Sequence, residues 1–182
     1  MIFSFSRILS LFRRRAADEI EPLYGAMMAV ALDPVLFRRF SVPDTFEGRF
    51  EAVTLTTCLI LRRLKALPSP AADVAQDLVD RTFDGLESAM RAIGISDNGL
   101  PRRMKKFAQG FYGRLDAYTA ALAPGAGAEA LGQALGRNLL EGAEVSPELA
   151  AHVRTLATTF DALSLDDLVA GRLTTAAPTA ET

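Results

Sequence analysis

The chain has 182 residues, 49% of them apolar and 23% charged, with a net charge of −2. That is enough for one domain with a full core, and it excludes a disordered or fibrous chain. A single cysteine, Cys58, excludes an internal disulfide and a cysteine-based zinc cluster, a usage that fits a reducing compartment.

The sequence opens MIFSFSRILSLFRRR. Ile2, Phe5, Ile8, Leu9 and Phe12 share one arc of a helical wheel, with Ser6, Arg7, Ser10, Arg13 and Arg14 opposite. A secretory signal places its cations ahead of the apolar stretch, whereas most of these follow it. The pattern fits a helix lying in an anionic membrane surface, with Phe5, Ile8, Leu9 and Phe12 in the headgroup boundary and Arg13 and Arg14 toward lipid. A short mitochondrial presequence has the same acid-free, Arg- and Ser-rich character, and a helix docked on the core is the plain alternative. The longest uncharged run, 117–128, is twelve residues and contains Pro124-Gly125, so no bilayer-spanning segment is expected.

From residue 18 the chain reads as helices with short joints. The first, 19–32, is rich in small residues, and Asp33-Pro34 starts a short helix reaching Phe40. Asp44-x-x-Glu47 has the form of a capping box with Asp44 as N-cap. Behind it Phe46, Phe50, Val53, Thr57, Ile60, Leu64 and Leu67 recur in steps of four and three until Pro68-Ser69-Pro70. Cys58, inside this run, is expected to be a buried thiol.

Helix 71–93 is expected to bury Val79, Phe83, Leu86, Met90 and Ile93. Its polar side carries Asp73, Asp77, Asp80, Asp84 and Glu87 in one narrow stripe, where like charges one turn apart repel. The stripe reads as a solvated face, as the answer to a basic surface, as a site for a basic partner, or as a Mg²⁺ site of the isoprenoid-condensing type. That last reading lacks its second acidic motif.

Helix 100–122 carries Leu100, Met104, Phe107, Phe111, Leu115, Tyr118 and Leu122 on one face. Arg102, Arg103, Lys105 and Lys106 crowd its first turn, where the helix dipole makes each exposed cation cost about 0.3–1 kcal/mol. Such a cluster reads as a solvated basic turn, or as one answered by an acidic surface nearby in the fold or by a polyanionic or acidic partner. Tyr112 and Arg114 fall off the apolar stripe, and Gly113, costing about 1 kcal/mol against Ala in a helix interior, points to a close neighbour.

Helix 128–140 carries Arg137-Asn138, Ser146-Pro147 opens another reaching Leu163, and Ser164 to Asp167 cap a last turn. Residues 174–182 are polar and small and are expected to be disordered. No stretch alternates as a strand would. His152 is the single histidine and no glycine-rich loop follows a strand, so the pattern points away from an enzyme. The expected architecture is all-α: an amphipathic segment at 1–17, one compact multi-helix domain at 18–173, and a tail at 174–182.

Several of these stretches together resemble one family. They are Pro43-Asp44-Thr45-Phe46-Glu47-Gly48-Arg49-Phe50, the run LILRRL at 59–64, and PRRMKK at 101–106 followed by Phe111-Tyr112-Gly113-Arg114 and Tyr118. Asp80, Phe83 and Asp84 precede the last of these, and Arg137-Asn138 follow it. In this order, over about residues 19–142, they resemble the ubiquinol–cytochrome c chaperone family. One departure is Gly136, where mitochondrial members carry tryptophan.

The resemblance implies an all-α, non-enzymatic assembly factor for the cytochrome bc1 complex, without metal, cofactor or specific DNA binding. Its partner would be newly made cytochrome b or an early bc1 intermediate, with a small helper protein and the ribosome exit region in mitochondria. Partner contacts are expected at Asp80, Asp84, Arg102, Arg103, Lys105, Lys106, Tyr112, Arg114, Tyr118, Arg137 and Asn138. The expected place is peripheral, on the cytoplasmic face of the inner membrane or the matrix side in a eukaryote. The alternative is an all-α enzyme or carrier for an isoprenoid or quinone, working through the 73–87 stripe.

Overall fold

The structure, a computed structural model, describes residues 19–127 and 129–173. The membrane expectation for Phe5, Ile8, Leu9, Phe12, Arg13 and Arg14, and the tail at 174–182, lie outside the described residues. Within them all regular structure is helical: α1 (19–31), α2 (Pro34–Arg38), α3 (Phe46–Lys65), α4 (Ala71–Ala92), α5 (Leu100–Ala121), α6 (Ala130–Asn138), α7 (Pro147–Asp161) and α8 (Leu165–Val169). Together they form one compact all-α domain.

α3 is the axis, packed against α4, α5 and α7. Every residue from Thr54 to Leu61 is buried, so the helix has no solvent face there. Its threonines are accommodated by bonding back into the helix: Thr56 Oγ1 donates to the Ala52 carbonyl at 3.0 Å and Thr57 Oγ1 to that of Val53 at 2.8 Å. Cys58 is buried as expected, and desolvation pushes its thiol up to about 12.

The N-cap of α3 is one residue later than the sequence suggests. Thr45 is extended and its Oγ1 accepts from the Gly48 N–H at 3.1 Å, while Asp44 pairs with Arg49 at 2.6 Å. The guanidinium of Arg49 also lies 5.5 Å from the Phe37 ring. The C-terminal arginines of α3, from LILRRL, clamp α7. Arg62 bonds Asp161 at 2.5 Å, and Arg63 Nε donates to the Leu163 carbonyl at 2.8 Å, just past the end of α7. Cations suit that end of a helix.

Residues Glu19–Arg38 are long and apolar enough on average to cross a membrane, contrary to the expectation from charge runs alone. In the fold this stretch breaks after residue 31, at Asp33, whose carboxylate caps α2 by accepting from Val35 N–H at 2.8 Å. Leu23, Met27 and Ala31 are fully buried and face the core, while 28% of the most apolar window is buried in all.

α4 is rotated from the expected face. Leu78, Thr82, Leu86 and Met90 are buried, Val79 and Phe83 are half-buried flanks, and Ile93 is exposed because it lies past the end of the core. α5 keeps its predicted face. Phe107 packs edge-on against Phe50 (4.3 Å) and Phe46 (6.3 Å), over a second small core of Phe50, Leu86, Met90 and Leu100. α6 is shorter than expected, because Glu141 and Gly142 turn into the left-handed region, with φ of 53° and 93°. Ser146 and Ser164 cap α7 and α8 as the sequence indicates, the latter in a capping box with Asp167 whose hydrogen bonds hold its carboxyl down at about 2.

Gly48 gives a test in which two effects oppose. Helix propensity alone favours Ala there by about 1 kcal/mol. A Cβ, however, would stand 1.9 Å from the Pro43 carbonyl oxygen, a backbone atom that cannot rotate away. Gly48→Ala should therefore lower the melting temperature by about 5 °C or more, read by circular dichroism; a rise would show that the Pro43 turn yields freely.

Candidate functional site

The acidic stripe runs along the outside of α4. Asp73, Asp80 and Asp84 are exposed and Asp77 and Glu87 half-buried. Gln76 Nε2 donates to Asp80 at 2.8 Å, and Arg91 pairs with Glu87 at 2.6 Å. Arg81 turns away, to Glu21 at 2.5 Å and over the Tyr24 ring at 3.9 Å. Desolvation and the neighbouring Asp80, Asp73 and Glu19 raise the pKa of Asp77. Among the described residues no three His, Cys, Asp or Glu side chains converge as a metal site would require.

Arg114 and Tyr118 are not surface residues. Arg114 crosses to α3 and grips both oxygens of Glu51, a half-buried bidentate pair. Burial pushes the Glu51 carboxyl above its usual range while Arg114 pulls it back. Tyr118, one turn further along α5, is 1% exposed. Its hydroxyl lies beside the Asn138 side chain of α6 without a hydrogen bond of good geometry, and burial pushes its pKa up. Glu51, Arg114, Cys58, Tyr118 and Asn138 thus form one polar seam joining α3, α5 and α6. Glu51 was missed from sequence because it lies on the apolar helix α3, and only the α3–α5 register reveals its partner.

The glycine reading shifts likewise. A Cβ on Gly113 meets nothing within 4 Å, whereas one on Gly110 would lie 2.6 Å from the Arg114 guanidinium. Gly110, not Gly113, makes room inside the fold. Arg137 is exposed beside an open cleft of about 630 Å³. Gly136 is buried there, 2.9 Å from its would-be Cβ to the Ala143 carbonyl, so this backbone has no room for the tryptophan of mitochondrial members.

What remains on the surface is Tyr112 and the basic turn. Tyr112 is 58% exposed at the rim of an apolar groove of about 430 Å³. Leu61, Leu64, Leu67, Val79, Phe111 and Leu115 line it, so α3, α4 and α5 all contribute. A second, more enclosed apolar cavity of about 190 Å³ lies between α1, α3 and α4, walled by Tyr24, Met28, Phe46, Phe50 and Leu86. Arg102, Arg103, Lys105 and Lys106 are all exposed, and among the described residues none forms an ion pair with the α4 stripe. His152 is half-buried against Phe40 at 5.2 Å; burial lowers its pKa, with Asp33 pulling it up and Arg39 down.

A family model described as Ubiquinol-cytochrome C chaperone matches residues 38–176. The fold is similar to the crystal structure of the Cbp3 homolog from Brucella abortus, with a TM-score of 0.75 at 37% identity over 90% of this chain and 93% of that one. No protein of curated function matches the sequence.

The seam makes Arg114 a stability residue. Arg114→Glu would set two carboxylates face to face. Arg114→Met should cost about 2–4 kcal/mol by stranding a half-buried Glu51. The raised folded-state pKa of Glu51 means the native state binds the proton more tightly than the unfolded chain. Stability from this group is therefore lost as pH rises from its unfolded pKa through the folded one. Without Arg114 that window extends upward, so the melting deficit of Arg114→Met against wild type should shrink from about pH 8 to pH 5.5. A deficit independent of pH would show that Glu51 is not the stranded partner.

Proposed function

The chain belongs to the ubiquinol–cytochrome C chaperone family, and from that premise we propose that it is a membrane-peripheral chaperone that holds cytochrome b or an early intermediate of bc1 assembly. The observation that carries the client-binding part is Tyr112. Large aromatic side chains in a packed helical domain are normally drawn inward, and this one stands exposed beside a groove walled mostly by leucine, alanine, valine and phenylalanine, with Lys65, Ser69 and Gln76 among them. An apolar segment of an unassembled membrane protein would bury itself there, with the tyrosine ring closing over it and its hydroxyl remaining in water. Gly113, next along α5 and open to solvent, lets a partner backbone approach that ring closely. Holding a client needs surface, not chemistry, which fits a seam whose titratable groups are internal to the fold.

The proposed location is the inner-membrane surface where cytochrome b is inserted, with the N-terminal Phe5–Phe12 arc as one contact. The acidic residues Asp80 and Asp84 remain available for a basic segment of the client or a helper protein.

Tyr112→Ala should leave thermal stability within about 2 °C, because an exposed ring contributes little to the core. Cells carrying it should show less spectroscopic cytochrome b and less assembled bc1 complex, with haem synthesis and quinone levels normal. Tagged protein taken from detergent-solubilised membranes should recover cytochrome b, and the variant should recover several-fold less. Full bc1 activity together with reduced quinone would overturn the chaperone reading in favour of isoprenoid handling.

A further inference from the structure

The basic turn lies on the surface apart from the residues that line the groove at Tyr112. Three features meet at the tip of the α4–α5 hairpin. Arg102, Lys105 and Lys106 fall off the face that buries Leu100 and Phe111, Arg103 flanks it, and all four are exposed. None is neutralised by a described residue: the two acids at the tip, Glu87 and Asp97, lie 2.6 Å and 3.7 Å from Arg91 instead. Ile93, at the C-cap of α4, is 56% exposed, one of the two large apolar side chains so placed among the described residues. Finally, α5 has no side-chain N-cap: Gly99 stands there, the Leu100 N–H bonds the Ser96 carbonyl at 3.1 Å and Pro101 has no N–H, so the positive end of the dipole meets no carboxylate or hydroxyl side chain at its cap.

We propose that the α4–α5 tip is a second membrane contact of the protein, in which Ile93 enters the headgroup boundary of an anionic bilayer while Arg102, Arg103, Lys105 and Lys106 bind its phosphates. The inference rests on the peripheral-membrane part of the reading above and adds a contact separate from the N-terminal segment. A lipid surface satisfies all three features together. Phosphates match the cations and the positive end of the dipole, and the interfacial zone takes one isoleucine side chain without needing a shaped pocket. An acidic protein helix would answer the charges but would leave Ile93 beside carboxylates. The cations are dipole-disfavoured when free and gain when anions arrive, so the tip is arranged for a state in which phosphate is present.

The absence of tryptophan from the chain supplies the probe. Full-length protein carrying Ile93→Trp is mixed with phosphatidylcholine vesicles containing about a third phosphatidylglycerol, or with phosphatidylcholine alone. Emission should blue-shift on the anionic vesicles and not on the neutral ones. Adding Lys105→Glu and Lys106→Glu should weaken vesicle binding at least about tenfold, since each cation at such a surface is worth about 1 kcal/mol. The melting temperature should stay within about 5 °C, and raising salt should mimic the loss. Binding to anionic vesicles with no shift at the Ile93→Trp position overturns the tip contact and leaves the peripheral-membrane reading standing. Failure to bind either vesicle overturns both. Charge-reversed protein that binds vesicles like its parent yet fails to support bc1 assembly in cells overturns the tip contact in favour of an acidic protein partner.

Discussion

Burial of α3 on all sides is the constraint from which the rest follows. From Thr54 to Leu61 no residue reaches solvent. Such a helix can stand only if its neighbours cover it completely and its polar groups are answered within. Thr56 and Thr57 bond to carbonyls one turn back, Thr57 also reaches Met27 Sδ at 3.1 Å, and Glu51 is answered by Arg114. The helices around it are therefore committed on one face, and anything that meets a partner must lie on their outer sides. α4 and α5, joined by the short 94–99 link, carry most of what is left over.

The stretches that mark the family are mainly fasteners of this arrangement. Pro43 to Phe50 sets the entry of α3, through the Thr45 cap, the Gly48 contact and the Arg49–Asp44 pair. LILRRL locks the far end of α3 onto α7 through Arg62 and Arg63. Arg114 and Tyr118 tie α5 to α3 and α6. A distinctive residue with a complete structural explanation is weak evidence of a partner. Tyr112 and the basic turn have no such explanation, which is why the functional argument rests on them.

The helices were legible because apolar residues at steps of four and three survive any context, and serine caps before Pro147 and Leu165 announce themselves. What was not legible depends on register between helices. The wheel of α4 is ambiguous by about one residue, since Val79 and Phe83 satisfy the period as well as Leu78 and Thr82; only contact with α3 selects the latter. The Glu51–Arg114 pair is invisible because nothing in either helix alone names the other. Gly110 was recoverable, standing four residues before the arginine it accommodates, where the two positions share a face. Gly113 drew attention instead because it sits inside the more distinctive run.

Net charge poses the sharpest objection to a lipid contact, because a chain at −2 is on average repelled by an anionic bilayer. The separation of charge along the hairpin answers it. At physiological salt, screening limits each charge to about 8 Å. With a rise of about 1.5 Å per residue, Asp84 lies about 14 Å along α4 from Ile93, and Asp73 about 30 Å. The carboxylates of the stripe are thus mostly out of range of a surface touching the tip. Glu87 is nearer, but Arg91 holds it. The four cations of α5 lie within one and a half turns of each other and act together. The bilayer would sense a local positive tip and the solution an acidic molecule, so this separation of charge would orient the protein tip first, leaving the groove beside Tyr112 further along α5 and clear of the lipid.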